Sequence, residues 1–544
     1  MDASADLVQH ITSISQSIYT SDPHNPHLYL ARGKLYAQLG FHDLAAADAY
    51  RALTLLEGVV EEEPDCVEYV ARRRTAAITT TTTASTEDEE QDNDDDDEEE
   101  EESGFVRISR DEYDASIAPV YVLLVQSLRQ CGCLRDAHEF GSRAARHLRS
   151  LDTEKSRYSD SIDLLENGLQ QAQDPSTLPA QGFARRVLYP WNTHEPDRKA
   201  EETLSLLNKR LETVAPDCEV RAVALPALHQ QQQDEEVSVQ LGLFAKRDLQ
   251  PGEIILREAS LLTATNRLHD DLCDACNGPL PELQHDEAVA CQECDDTIFC
   301  SQTCHDQAQA VYHAAVCGHE GLDSLGKDVA DPKDKADYLY FLLLGRAIAM
   351  AATQDCHPLD LPEVKYIWGD FHDYDPARTA AASSEDASLP FSFQLSILQP
   401  MRLLEEMGLD PFATLDRYDT WVLNTLYAKF RGTASGRLST WDGGPEVCAV
   451  HPLWCLANHS CDPNVRWEWG GEITFMVRRE EEKAGWKHPK KEGRPSTTAL
   501  IRKDEEILNH YCDIDLGVRQ RREWAQGALG GLCQCVRCKW ESSD

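Results

Sequence analysis

Apolar positions near the N-terminus recur every three to four residues. Leu28-Tyr29-Leu30-Ala31, Leu35-Tyr36 and Leu39 form one run, and Leu44-Ala45, Ala49 and Ala52-Leu53 form the next after Gly40. The spacing predicts two helices over 27–56 with a break at the glycine. Small residues at Ala31, Ala45 and Ala52 let such helices approach closely. The plan recurs over 118–148. Val122-Leu123-Leu124 and Leu128 precede a break near Cys131-Gly132, and Ala137, Phe140 and Ala144 follow it. From Cys218 the pattern turns to strands. Val237, Val239 and Leu241 alternate with polar residues, Gly242-Leu243-Phe244-Ala245 follows, and a Pro251-Gly252 turn leads to Ile254-Ile255-Leu256. Helical spacing returns over 338–353, 393–407 and 415–430. Val465, Trp467 and Trp469 then alternate, as do Ile473, Phe475 and Val477, which predicts a hairpin around Gly470-Gly471. Segregated helical and strand runs indicate an α+β chain.

The intervening segments read differently. Residues 75–104 join a threonine run to an acidic block, and neither buries much apolar surface, so disorder is expected there. An irregular stretch is expected over about 175–201, within a linker spanning 175–217. Gln230–Gln233 reads as a loop, and so does the charged, Pro-containing segment 478–496.

Charge narrows the partners. The net charge is −43, and 87–102 supplies 14 acidic residues with no Lys or Arg. Without that run the chain still carries −29. Binding to a phosphate backbone needs clustered Lys and Arg, so direct nucleic-acid binding is not expected. A basic protein partner is compatible with this charge, which also keeps the chain soluble. Residues 338–352 are the best membrane candidate, but the run reads as too short and Arg346 interrupts it. Residues 1–16 lack a basic start followed by an apolar stretch. The expectation is a soluble intracellular chain, cytoplasmic and/or nuclear, with no membrane contact.

Cysteine adds specific chemistry. Of 19 cysteines, eleven fall in two clusters with metal-like spacing. The first cluster is Cys273-x2-Cys276, Cys291-x2-Cys294, Cys300-x3-Cys304 and His313-x3-Cys317. Four close pairs of soft or borderline ligands suit two tetrahedral zinc ions. The second cluster combines Cys533-x-Cys535-x2-Cys538 with Cys461, which lies inside Asn458-His459-Ser460-Cys461-Asp462-Pro463-Asn464. Cys455 and Cys512 read as small buried residues outside both sets.

These motifs resemble the SET–MYND branch of the SET-domain protein-lysine methyltransferases over about 218–540. The first cluster resembles a MYND zinc finger, whose interleaved pairing implies Cys273, Cys276, Cys300 and Cys304 on one zinc. Cys291, Cys294, His313 and Cys317 then hold the second. Cys461, Cys533, Cys535 and Cys538 resemble a post-SET site for a third. Gly242-Leu243-Phe244-Ala245 with Gly252-Glu253 resembles the opening strand of the SET domain, whose backbone lines the S-adenosylmethionine pocket. Asp504-Glu505-Glu506-Ile507-Leu508-Asn509-His510-Tyr511 resembles the segment that ends in the catalytic tyrosine. The resemblance thus implies Tyr511 as catalytic and Gly242, Leu243, Phe244, Asn458 and His459 as cofactor-binding. Gly531 stands where many relatives place an aromatic residue against the adenine, with Trp524 or another aromatic as its substitute. Gln240-Leu241 also departs from the usual basic or glycine residue.

The implied fold is a β-rich SET domain with an inserted finger, a helical insert, a post-SET zinc site and an N-terminal helical region. The implied boundaries are helical units at 1–74 and 105–174, SET halves at 218–272 and 441–516, a finger at 273–317, an insert at 318–440 and a post-SET region at 517–544. The two helical units resemble tetratricopeptide repeats, with an ordinary helical bundle as the alternative. The expected activity is lysine N-methylation of a basic protein, histone or non-histone. The repeats and the finger are possible sites for a protein partner. The competing reading is a non-catalytic adaptor with a SET scaffold. A zinc-finger transcription factor is disfavoured by acidity and by the lack of a basic recognition helix.

Overall fold

Gly40 and Gly132 both take positive φ, 77° and 88°. Glycine adopts this region without the steric cost that a Cβ brings. Each follows a helix at a predicted break: Pro26–Gln38 precedes His42–Val60, and Arg110–Cys131 precedes Leu134–Leu151. The structure is a computed structural model that describes residues 3–60, 110–151, 157–166, 174–226, 237–266, 271–282, 287–294, 297–319, 321–322, 325, 332–369, 371–375, 388–439, 443–486, 500–529 and 531–542. The expected disorder over 75–104 and the Gln230–Gln233 loop lie outside these residues, as does most of 478–496.

The chain divides into two compact units. The first comprises Met1–Trp191 and Asp373–Trp421. Its helices pack sequentially, and Ala45, Ala46, Ala49 and Ala52 are fully buried along the contact face. At Gly33 an added Cβ would sit 3.0 Å from Leu123 and 3.2 Å from Asp48, so the backbone itself forms part of that interface. A further helix, Ala3–Thr20, falls within the helical unit expected over 1–74, ahead of the two helices read from spacing.

A buried charge cluster fixes this unit. The Arg32 guanidinium donates to both Asp48 oxygens at 2.8 Å, to Asp419 at 2.9 Å and to Ser15 at 3.0 Å. The Tyr19 hydroxyl donates to Asp419 at 2.8 Å, and Arg51 donates to Thr420 at 3.0 Å. Asp419 also corrects the helix expected over 415–430. It separates Leu415–Tyr418 from Thr420–Thr433, and its carboxylate accepts the Thr420 N–H at 2.7 Å.

Two boundaries need correction. The region 175–217 is more than a linker. Gln181–Arg185 pairs antiparallel with Ser388–Ser392, and Glu201–Val214 is a helix. The proposed insert 318–440 is divided, because its residues 373–421 group with the N-terminal helices. A short strand and a helix starting at polar residues carry too little periodicity to be read locally.

The second unit comprises Asn192–His372 and Val422–Asp544. Three antiparallel sheets of three strands form its frame. Val237–Ala245 is central to one, between Cys218–Pro226 and Glu506–Ile507. The predicted hairpin Val465–Trp469/Glu472–Val477 forms the second with Ile254–Ala259. Pro445–Ala449 lies between Thr263–Thr265 and Ser435–Leu438 in the third. Leu207 and Leu211 of Glu201–Val214 enter the same core as Leu243, Ile255, Phe475 and Ile507. The segment Lys335–Thr353 is long and apolar enough to cross a membrane by length and composition, which corrects the reading of that run as too short. Here it packs against the strands Thr263–Thr265 and Pro445–Ala449. Its Arg346 lies 3.5 Å above the Tyr312 ring and donates to the Asp274 carbonyl at 3.0 Å.

Substituting Arg32 with methionine should destabilise the first unit by about 3–5 kcal/mol, because two buried carboxylates lose their nearer counter-charge and keep only Arg51, 3.5 Å from each. Arg32→Lys should recover only part of this loss, since an ammonium lacks the bidentate fork. Urea unfolding followed by helical circular dichroism measures both variants, and a change below about 1 kcal/mol for either would contradict the assignment.

Candidate active site and metal centres

Two chain segments cross at the centre of the second unit. The Ser460 N–H donates to the Asn509 carbonyl and the Asn509 N–H to the Asn458 carbonyl, both at 2.8 Å. Asn464 clamps the same crossing: its Oδ1 accepts the Leu508 N–H at 2.7 Å and its Nδ2 donates to the Glu506 carbonyl at 2.8 Å. The crossing brings Asn458, His459 and Tyr511 together although about 50 residues separate them in sequence.

Tyr511 is held at three points. Its N–H donates to His459 Nδ1 at 3.0 Å, its ring centroid lies 5.1 Å from that imidazole, and its hydroxyl donates to the Ala457 carbonyl at 3.0 Å. A phenol oxygen that donates still has lone pairs for an incoming N–H or polarised C–H. Accepting at Nδ1 puts the neutral imidazole proton on Nε2, which lies 3.3 Å from Cys461 Sγ. Burial lowers the His459 pKa to about 4, so the ring is neutral near pH 7.

Asn458 faces the opening strand. Its Nδ2 donates to the Leu241 carbonyl at 3.0 Å and to Glu506 Oε1 at 2.8 Å. These bonds explain Gly242: a Cβ there would lie 2.8 Å from Glu506 and 3.1 Å from Asn458. Leu243 is fully buried in the core, and Phe244 lies beneath the Arg221 guanidinium at 5.2 Å. Both belong to strand pairings on two sides, so they build a wall rather than offer side chains. Burial raises the Glu506 carboxyl above its usual range, against the lowering effect of the Asn458 bond. Asn458 Oδ1 and the Glu506 carboxylate are acceptors of the kind that suits an ammonium.

A cavity of about 850 Å³ lies against Tyr511. Tyr340, Trp454, Trp467, Cys512 and Trp524 share its lining. Trp454 meets Trp467 edge-on at 5.6 Å and stacks on Phe475 at 5.7 Å. The indole N–H groups of Trp454 and Trp467 are buried without a hydrogen-bond partner. Gly242, Leu243, Phe244, Asn458 and His459 do not line this cavity. Tyr511 joins it to the Asn458–His459 turn, and so does Cys512, whose sulfur lies within 4.8 Å of a His459 ring nitrogen.

The cysteine sets come together as three groups. In each of Cys273/Cys276/Cys300/Cys304, Cys291/Cys294/His313/Cys317 and Cys461/Cys533/Cys535/Cys538, the ligand atoms lie within 4.8 Å of one another. Zinc–sulfur bonds of about 2.3 Å in a tetrahedron require sulfur–sulfur edges of roughly 3.8 Å. The observed edges include 3.9 Å for Cys276–Cys300, 3.7 Å for Cys291–Cys317 and 3.9 Å for Cys461–Cys533. Backbone N–H groups of Gly278, Glu293 and Cys538 point at sulfurs of Cys276, Cys291 and Cys535, as thiolates favour. The donors therefore fit zinc. Around the third set, Arg537 donates to the Cys461 carbonyl at 2.8 Å and the Arg521 guanidinium approaches Cys538 Sγ at 3.8 Å. Glu541 pairs with both arginines, so about one net positive charge remains to offset what four thiolates would leave on a zinc ion.

Asn464, Glu506, Arg521 and Arg537 lay near the motifs without an assigned role, because nothing in their spacing marks them. Glu258 was missed entirely. It is buried, and its carboxyl accepts the Leu453 N–H at 3.1 and 3.2 Å and the Trp454 N–H at 2.7 Å. It thereby anchors the turn that leads to Asn458. A lone glutamate in a strand carries no sequence signal for this.

Residues 240–512 match the family model for the SET domain. No curated protein matches the chain.

Burial raises the Glu258 carboxyl to about 7, outweighing the Leu453 and Trp454 N–H bonds, with Arg210 lowering it and Glu363 raising it. The folded chain therefore holds a proton that the unfolded chain has released between the ordinary carboxylate range and pH 7. Stability from this group is present at low pH and declines as pH rises through that window. Glu258→Gln keeps the acceptor and removes the titration, so its stability relative to wild type should rise by on the order of 3 kcal/mol from pH 4.5 to 8. Thermal unfolding of both proteins across that range checks the sign, and a flat difference would contradict it.

Proposed function

Because the chain belongs to the SET-domain family, we propose that it is an S-adenosylmethionine-dependent protein-lysine N-methyltransferase. The placement of Tyr511 carries this reading. Its ring lines the cavity, while its backbone N–H and hydroxyl are fixed by His459 and Ala457. S-adenosylmethionine, when bound, supplies an electrophilic methyl group for transfer to an amine. Asn458 Oδ1 and Glu506 are the acceptors for its ammonium end, the His459 backbone meets its adenine, and the Gly242–Phe244 backbone forms the wall beside it. Trp524 is 55% exposed but lies on the Tyr511 cavity rather than beside Asn458 and His459, so it does not stand in for the aromatic residue that Gly531 replaces.

The cavity takes the substrate lysine. Trp454 and Trp467 exclude water there, and a dry site favours the neutral amine over the ammonium. The Tyr511 oxygen accepts an N–H from that amine and fixes its direction, and alignment of the reacting atoms provides much of the rate. Glu481, Asp513 and Asp515 lie exposed along the cavity and suit a basic peptide. Lys483 and Arg431, on the same lining, face Glu480 and Asp337, and Arg437 and Arg478, also on it, bond to the Asn277 and Val465 carbonyls.

The finer assignments follow from the same motifs. Residues 273–317 form a MYND finger with two zinc ions, and Cys461, Cys533, Cys535 and Cys538 form a post-SET site with a third. All three sets are fully ligated, so their role is structural. The N-terminal helices act as tetratricopeptide-like repeats that hold a protein partner.

Tyr511→Phe keeps the ring and should lower methyl transfer to a basic protein by about 10²-fold or more, the scale of a lost positioned polar group. Its affinity for S-adenosylmethionine, measured by titration calorimetry, should hardly change, whereas Asn458→Ala should weaken that affinity. Wild type that binds no S-adenosylmethionine would favour the adaptor reading. Full activity in Tyr511→Phe would remove Tyr511 from the catalytic role.

Metal analysis of the purified chain should give three zinc ions, one for each four-ligand set. Strong chelators should unfold the second unit as they extract metal, because binding and folding are linked at such sites. A content of one zinc or none would overturn the three-site assignment.

A further inference from the structure

The third cysteine set has a thiol to spare. Cys461, Cys533, Cys535 and Cys538 complete four-coordination, yet the Cys512 sulfur also lies within 4.8 Å of both the Cys461 sulfur and a His459 ring nitrogen. Cys512 is 3% exposed overall, but it lines the Tyr511 cavity and immediately follows that residue. A small molecule that enters the cavity therefore reaches a thiol next to a metal-binding thiol. Two other cysteines line the cavity and differ from it. Cys448 donates to the Leu339 carbonyl at 3.6 Å and Cys455 to the Pro452 carbonyl at 3.2 Å. Burial pushes both of those thiols up to about 12, which keeps them in the unreactive thiol form. Neither belongs to a cluster of metal-ligating side chains among the described residues.

We propose that Cys512 is an oxidation site, and that hydrogen peroxide entering the Tyr511 cavity joins it to Cys461 in a disulfide. The Cys512 sulfur attacks one peroxide oxygen. The O–O bond breaks, hydroxide leaves, and Cys512 becomes a sulfenic acid. The Cys461 sulfur then attacks the Cys512 sulfur, the S–O bond breaks, and a second hydroxide leaves as the S–S bond forms. The two sulfurs lose two electrons in total, and the two hydroxides become water by taking the Cys512 thiol proton and one proton from solvent, since zinc-bound Cys461 carries none. Cys461 is thereby withdrawn from its metal, which retains three cysteines and an open position. The bond also ties the residue after Tyr511 to the Asn458–Cys461 turn, so oxidation acts on the site where the proposed methyl transfer occurs. This inference rests on the assignment of a zinc ion to Cys461, Cys533, Cys535 and Cys538.

Reduced, zinc-loaded full-length chain is treated with hydrogen peroxide, the remaining thiols are alkylated, and peptides are mapped by mass spectrometry. A chromogenic chelator follows released zinc in parallel. Wild type should yield a peptide linking Cys461 to Cys512 and release about one zinc per chain. Cys512→Ser should contain as much zinc as wild type before treatment and release several-fold less at the same peroxide dose. A Cys461 disulfide to Cys533, Cys535 or Cys538 instead would overturn the proposal. So would equal zinc release from both proteins, or a Cys512→Ser protein that lacks one zinc from the outset, which would make Cys512 a ligand. The mapping needs only wild type, so it decides the matter even if the variant folds poorly. Absence of zinc at the third set before any oxidation would count against the zinc assignment, while the mapping would still report whether Cys512 pairs with Cys461.

Discussion

The crossing of Asn458–Cys461 with Leu508–Tyr511 is the constraint on which the site depends. Two reciprocal backbone bonds and the double clamp of Asn464 hold the segments face to face. A buried crossing of this kind tolerates little slippage, because any shift leaves amide groups unpaired in a dry interior. Tyr511 therefore has one position relative to His459, and Cys461 has one relative to Cys512. Asn458 in turn reaches the opening strand, where only a glycine at 242 leaves room for it.

Metal and glycine extend this frame outwards. The third cysteine set attaches Cys533–Cys538 to the crossing through Cys461, and Arg521 and Arg537 supply counter-charge. The segment that carries Cys273 and Cys276, the proposed finger, is seated differently. A Cβ on Gly278 would lie 3.0 Å from Gly471 Cα, and one on Gly471 would lie 3.3 Å from Cys276 Sγ. Gly471 thus serves two needs: its φ of 94° closes the Trp467 hairpin, and its bare backbone admits the finger. The cavity wall is left to the tryptophans, which pack by shape rather than by bonds.

Features with local causes were legible in sequence. Gly40 and Gly132 marked helix breaks because glycine alone takes positive φ freely. Alternation over Val465–Val477 marked strands because one face meets the core, whereas in the Val237–Leu241 run Leu241 is buried and Val239 is 40% exposed, so pairing on both sides makes that strand. Metal-like spacing grouped the cysteines because two ligands on one short loop must reach one ion. Features with distant causes were not legible. Asp419 splits a continuous apolar pattern, and its reason is Arg32, far away in the chain. Gln181–Arg185 is a strand because Ser388–Ser392 lies beside it. Glu258 resembles any strand glutamate until two N–H groups from Leu453 and Trp454 are found on it.

By itself, the sequence determined most element types and the metal-like pairing of the cysteines, since residue type and short-range spacing encode these, while the grouping into three sets and the joining of Asn458 with Tyr511 were what the family resemblance implied. Tertiary structure decided which groups are spare and which are spent. Asn458 spends its amide N–H groups on Leu241 and Glu506, Leu243 is core rather than pocket, and Cys512 stands beside a set of four cysteines that could hold a metal ion. Such outcomes depend on which distant side chains share a buried volume, and hydrogen bonding and close packing there are settled only when the whole chain has folded.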